Sequence, residues 1–240
     1  MRAPDAIEFL AARRRTVLLG GAAVILHGLS RLTKDFDIWQ DPLPDPKSWA
    51  TAIAELLNSN GELQAQRIGM TVPGRWEVIA IDEIPIVGSE DGLIRVVGTD
   101  RPIDIFYRPN ELGIEDFEQV WQRSIEAERG LRLMEKIDLL ITKQDTQRVT
   151  DITDIKFLED RISDEYRVKL KNCSEREAKE LLDRFATPEI AAFAFGENQD
   201  GQVKRIAWQV LDEMRIQGDP FAAELVREIQ LRSHGLDVEL

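Results

Sequence analysis

Val17–Trp39 reads VLLGGAAVILHGLSRLTKDFDIW. Thr16–Leu19 is a short apolar, partly β-branched run that stops at Gly20–Gly21, the pattern of a buried strand ending in a tight turn. Ala22–His27 reads as a short helix closed by Gly28, and Phe36–Trp39 as a second strand. Glycines between strand and helix let the backbone approach a ligand, and the free N–H groups of a helix start face an anion such as phosphate. Asp35 and Asp37 are two apart on the second strand, so alternation puts both carboxylates on one face. Like charges that close repel each other unless a cation sits between them. Hard oxygen ligands of this kind suit Mg²⁺ or Mn²⁺. Phe36, Ile38 and Trp39 interleave the acids, which separates this pair from an ordinary solvated strand end.

Outward from this stretch, residues 6–14 read as a helix with Ile7, Leu10 and Ala11 on one face. Residues 41–46 hold three prolines and form a loop, and Trp49–Leu57 has apolar residues at helical spacing. Strand patterns follow at Trp76–Ile81, Leu93–Val97 and Ile103–Tyr107. The last of these carries Asp104 between Ile103 and Ile105, and a charge inside an apolar strand is costly to bury without a partner. If that strand lies beside the one holding Asp37, the three acids converge; alone, Asp104 reads equally well as an edge-strand acid. After about residue 113 the pattern becomes helical. Ser174 with Glu177 forms a capping box, and Thr187–Pro188 starts a further helix. The fold class is α/β (α+β): a mixed sheet flanked by helices in residues 1–112, then a helical region over 113–240.

The chain has 240 residues, 43% of them hydrophobic, enough to bury a core for one domain or two small ones. The formal net charge of -13 argues against broad adhesion to nucleic acid and leaves room for a local basic site. No apolar run approaches the roughly 20 residues of a membrane-spanning helix, and the N-terminus lacks the basic-then-apolar order of a secretory signal. Cys173 is the only cysteine, which excludes an internal disulfide and a cysteine metal cluster. A cytoplasmic protein is the expectation.

The Gly-Gly turn, the spacer, Asp35-Phe36-Asp37 and the later Asp104 together resemble the nucleotidyltransferase superfamily typified by DNA polymerase β. A narrower likeness is to short bacterial nucleotidyltransferases of the AbiEii type, among them the MenT toxins. His27, Gly28, Arg31 and Thr33 match residues that commonly precede the acidic pair there. Lys136 and the run Arg148-Val149-Thr150-Asp151-Ile152-Thr153-Asp154-Ile155 resemble that group's lysine and Arg-x-x-Asp-x-x-Asp-Ile helix. The resemblance covers roughly residues 16–160 and leaves residues 41–100 and the tail after 165 unmatched. It implies that Asp35 and Asp37 hold two metal ions, and that Asp104 holds one of them and helps deprotonate the acceptor hydroxyl. It also implies that Gly20, Gly21, Arg31, Thr33 and Lys136 bind the nucleotide, in a cleft that the helical region completes.

Positive charge for a triphosphate has three candidates, Arg31, Lys34 and Lys136. Arg31 could instead pair structurally with an acid, Lys34 points away from Asp35 by alternation, and Lys136 competes with an ordinary solvated lysine. His27 reads as a structural residue fixing the loop to Asp35 more than as a base. Arg148 can pair locally with Asp151, and Arg13–Arg15 reads as a solvated face.

The expected function is Mg²⁺- or Mn²⁺-dependent transfer of a nucleoside monophosphate from a nucleoside triphosphate to an acceptor hydroxyl. The acceptor could be tRNA or a protein, as for a toxin with an antitoxin partner, or a small molecule, as in antibiotic modification. A non-catalytic nucleotide- or partner-binding protein is the third possibility, against which all three acidic positions are occupied. No membrane partner is expected.

Overall fold

The computed structural model describes residues 1–68, 75–127, 130–144 and 148–236. Strand β1 (Thr16–Leu19) is buried at every position because it runs inside the sheet, between β2 (Phe36–Gln40) and β8 (Leu131–Leu133). A strand covered on both faces is a continuous apolar run rather than an alternating one. Its neighbour β2 keeps Ile38 and Trp39 fully buried. The Trp39 ring meets Phe117 edge to face at 5.1 Å, and its Nε1–H donates to the Tyr107 carbonyl.

The sheet has eight strands in the order β4-β3-β5-β6-β2-β1-β8-β7. The remaining strands are β3 (Gln64–Ile68), β4 (Trp76–Val78), β5 (Leu93–Val97), β6 (Ile103–Phe106) and β7 (Ile125–Glu126). β1 runs antiparallel to β2 and parallel to β8; β2 runs parallel to β6. The sheet is therefore mixed, and its flanking helices include α1 (Ala3–Ala11), α2 (Gly20–Leu26), α3 (Pro46–Ser59), α4 (Ile84–Asp91), α5 (Phe117–Arg123) and α6 (Lys136–Ile141). Asp45 caps α3 by accepting from the Ser48 backbone N–H, and Pro46 takes the first helical position, where no donor is needed.

Several local expectations shift. The first helix starts at Ala3 and ends before the arginine run. Arg14 donates to the carbonyls of Asp41, Ser48 and Leu43. Arg15 pairs with Asp41 and Glu118. Arg14 and Arg15 therefore clamp the loop after β2, where a solvated face is expected. The strand expected over Trp76–Ile81 stops at Val78, and Ile81–Glu83 is a 3-10 turn into α4. β8 joins the sheet from beyond residue 113, so the change of pattern there does not end the sheet.

The chain forms two compact units, Met1–Leu158 and Glu159–Leu240, so the division falls within α7 (Val149–Leu170) rather than between residues 112 and 113. The second unit is helical: α8 (Glu175–Arg184), α9 (Pro188–Glu197), α10 (Gly201–Ile216) and α11 (Pro220–Leu236). The Ser174–Glu177 capping box and the Thr187–Pro188 start stand where the sequence puts them. Ala191, Leu211, Ala222 and Val226 form its core with Trp208 packed against them. Buried Asn198 ties α9 to the end of α7 by donating to the Leu170 carbonyl at 2.7 Å. No described helix is long and apolar enough to cross a membrane.

Candidate functional site

The β1–α2 turn is built on Gly20, whose φ of +63° is left-handed backbone that side chains resist. A Cβ there would land on the Asp37 carboxylate, and one at Gly21 would crowd the Arg31 guanidinium and the Thr33 hydroxyl. Both glycines thus let the acid-bearing strand and the Arg31–Thr33 loop pack against the turn. The anion that meets the Gly21 N–H is the Asp37 side chain itself. Gly20→Ala is expected to cost about 1–2 kcal/mol from the left-handed backbone alone, lowering the melting temperature by about 2–8 °C. A melting temperature equal to the wild type's would show that the turn does not need glycine.

The acids are brought together by strand register. β2 and β6 pair in parallel with Asp37 opposite Asp104. Thr33 donates its hydroxyl to the Asp35 backbone carbonyl and more weakly to the Asp35 carboxylate, at 3.2 and 3.3 Å, holding the loop end beside the strand. Burial, then the like charges of Asp104 and Asp35, push the Asp37 carboxyl up to about 7, against the pull of Lys143 and the Gly21 N–H. Burial also raises Asp104, a shift that Arg95 opposes. Arg95 grips both Asp104 oxygens with Nε and Nη2 at 2.6 Å each, and its Nη2 lies 3.5 Å from Asp35. One guanidinium thus bridges two of the three acids.

The cations sort into two sets. Arg31 forks onto Asp154 at 2.8 and 2.6 Å, and Lys143 reaches Asp151 at 3.0 Å and Asp154 at 2.9 Å. Asp154 is fully buried and Lys143 nearly so, so this is an interior ion network. Asp151 accordingly meets Lys143, where local pairing with Arg148 is expected. Arg148 and Lys34 are exposed and line the cleft.

The cleft encloses about 370 Å³ and is walled by Gly20, Gly21, Asp35, Asp37, Lys143 and Arg148, with Arg31, Thr33 and Lys34 along the same lining. Lys136 is not among the lining residues. It opens α6, capped by Glu135, whereas Lys143 follows the end of that helix, seven residues or roughly 10 Å along its axis. His27 donates Nε2–H to the Met134 carbonyl at 2.8 Å, just past the end of β8. Lys143 and Arg95 escape the sequence reading; the register of β5 against β6, which sets Arg95 opposite Asp104, is the signal for the second of them.

These residues fit a divalent cation in part. Asp35 and Asp37 supply hard oxygens on one face, and the strained ionisation of Asp37 is what a nearby cation would relieve. Asp104 has both oxygens committed to Arg95. Among the described residues no group of three acids, histidines or cysteines stands ready as a ligand set.

No protein-family model and no curated protein sequence matches the chain. Among solved structures it is similar to one described as "Crystal structure of putative nucleotidyltransferase from H. pylori", with a TM-score of 0.37 and 15% identity, over 95% of this chain and 93% of that one. A likeness of that size carries no functional weight, so the cleft's own residues must supply the functional reading.

Proposed function

We propose that the chain is a divalent-metal-dependent nucleotidyltransferase that moves a nucleoside monophosphate from a nucleoside triphosphate to an acceptor hydroxyl. The observation that supports this best is the pairing of Asp37 with Asp104 across β2 and β6, with Asp35 at the loop end before β2 and with Asp35 and Asp37 lining the cleft beside the Gly20–Gly21 turn. Asp35 and Asp37 would hold Mg²⁺ or Mn²⁺, which supplies charge stabilisation at the phosphates and acidifies the acceptor hydroxyl. Arg148 and Lys34 at the rim and Lys143 on the floor supply positive charge for the triphosphate, in the place given from sequence to Lys136. Thr33 and the Arg31–Asp154 pair fix the loop that carries Asp35. Asp104, once released from Arg95, would take the hydroxyl proton. The acceptor oxygen then bonds to the α-phosphorus and the bond to pyrophosphate breaks.

The acceptor we favour is a macromolecule, tRNA or protein, in the manner of a toxin held by an antitoxin; the small-molecule alternative shares the same cleft chemistry. The grip of Arg95 on Asp104 favours a second reading, a nucleotide-binding protein without transfer activity. Labelled nucleoside triphosphates with Mg²⁺ distinguish the two. Transfer to some acceptor is expected, falling at least about a hundredfold in Asp35→Asn and in Asp37→Asn, or about 2.7 kcal/mol of barrier. Undiminished transfer in both variants would end the metal reading.

A further inference from the structure

We infer that Arg95 is a built-in cation on the third carboxylate, so that the resting protein takes one divalent ion, at Asp35 and Asp37, and admits a second at Asp104 only when Arg95 lets go. The inference rests on the metal reading proposed above. Its basis is a lock built from three strands. Arg95 on β5 faces Asp104 on β6 as a directly paired residue of an antiparallel ladder. Its fork takes both Asp104 oxygens at 2.6 Å, the planar two-point geometry that only guanidinium offers a carboxylate. The same Nη2 lies 3.5 Å from Asp35, so the positive charge sits between two acids where a shared cation would have to sit. The guanidinium also lies over the Trp76 ring of β4, 4.0 Å from its centroid, which holds the fork in place. The Asp104 side chain is 9% exposed and that of Arg95 18%, so water competes little for the pair. Asp37 is left out of the lock: no guanidinium or ammonium contacts its carboxylate among the described residues, and Lys143 reaches it only through space. The carboxylate left clear of Arg95 is therefore Asp37, and its neighbour Asp35 is held only by the longer 3.5 Å contact, against 2.6 Å for Asp104.

The test is Mn²⁺ binding to the full chain without nucleotide, followed by electron paramagnetic resonance of the free ion. The wild type is expected to bind one Mn²⁺. Arg95→Gln is expected to bind a second, or to bind the first at least about tenfold tighter, because Asp104 is set free. Asp104→Asn keeps the shape and is expected to bind one ion within about threefold of the wild-type affinity. This variant decides the matter even if Arg95→Gln does not fold. Two equal ions in the wild type, an unchanged Arg95→Gln, or a loss of about tenfold or more in Asp104→Asn would each overturn the inference. Asp35→Asn and Asp37→Asn separate the two levels. If both bind Mn²⁺ as the wild type does, the metal reading fails and the inference with it. If both lose the ion while Arg95→Gln stays at one, only the role of Arg95 fails.

Discussion

Asp154→Ala is expected to cost about 3–5 kcal/mol of stability, as when one partner is removed from a buried ion pair. Asp154 is completely buried and carries a single negative charge, yet two cations converge on it: the Arg31 fork at 2.8 and 2.6 Å and Lys143 at 2.9 Å. Removing the carboxylate takes one of two neighbouring acids from buried Lys143, leaving Asp151 beside it, and deprives Arg31 of its partner on α7. The charges left behind, not the attraction lost, account for most of the cost. Asp154→Asn keeps the volume and one acceptor, and is expected to lose less. Urea unfolding of the two variants and the wild type measures both quantities. A loss below about 1 kcal/mol in Asp154→Ala would place the network among surface ion pairs, which contribute that little. The change also reaches the cleft. Arg31 anchors the loop that ends at Thr33 and Asp35, so the metal affinity should fall although no proposed ligand is altered.

What could be read from sequence depended on whether a residue's neighbours in the chain are also its neighbours in space. The Gly20–Gly21 turn and the Asp35/Asp37 pair are local, and strand alternation with Phe36, Ile38 and Trp39 sufficed for them. Asp104 was legible as an acid in an apolar strand, but its position beside Asp37 awaited the pairing of β2 with β6. Arg95 was illegible, because LIRVV shows only a polar residue alternating outward; its meaning lies in the residue across the ladder. Lys136 and Lys143 are seven residues apart, almost two helical turns, so spacing presents both on nearly the same face and does not choose between them. The strands QAQRI and LRL passed unseen, the first lacking apolar alternation and the second being too short to show any. Asp154 lies in a run of alternating polar and apolar residues that reads as a helix surface, and it is buried because Arg31 and Lys143 come to it from distant parts of the chain.

Without divalent metal, Asp37→Asn is expected to be more stable than the wild type at pH 8, by about 2–4 kcal/mol. Burial and the charges of Asp104 and Asp35 raise the Asp37 carboxyl from 3.8 to about 7. The folded chain therefore holds a proton that the unfolded chain releases, and stability falls wherever the folded state binds more protons as the pH rises. The contribution of the protonated carboxyl is fully present below about pH 4, is lost progressively as the pH climbs through about 7, and is gone above. At about 1.4 kcal/mol per unit the shift is worth about 4 kcal/mol, and the partial exposure of Asp37 reduces that figure. An asparagine has no proton to lose, so the gap between variant and wild type should open from pH 4 to pH 8 and stay level beyond. Urea midpoints across this range, with a chelator present, give the curve, and parallel curves would show that Asp37 titrates as an ordinary surface acid. Adding Mn²⁺ at pH 8 provides the second half of the comparison. A cation at Asp35 and Asp37 takes the place of the missing proton, so the wild type should regain stability in proportion to the logarithm of the ion concentration. The variant, with one carboxylate fewer, should respond weakly. Stability that Asp37 costs the metal-free cleft thus reappears as affinity for the ion, which is why a carboxylate can persist at a position where asparagine would be more stable.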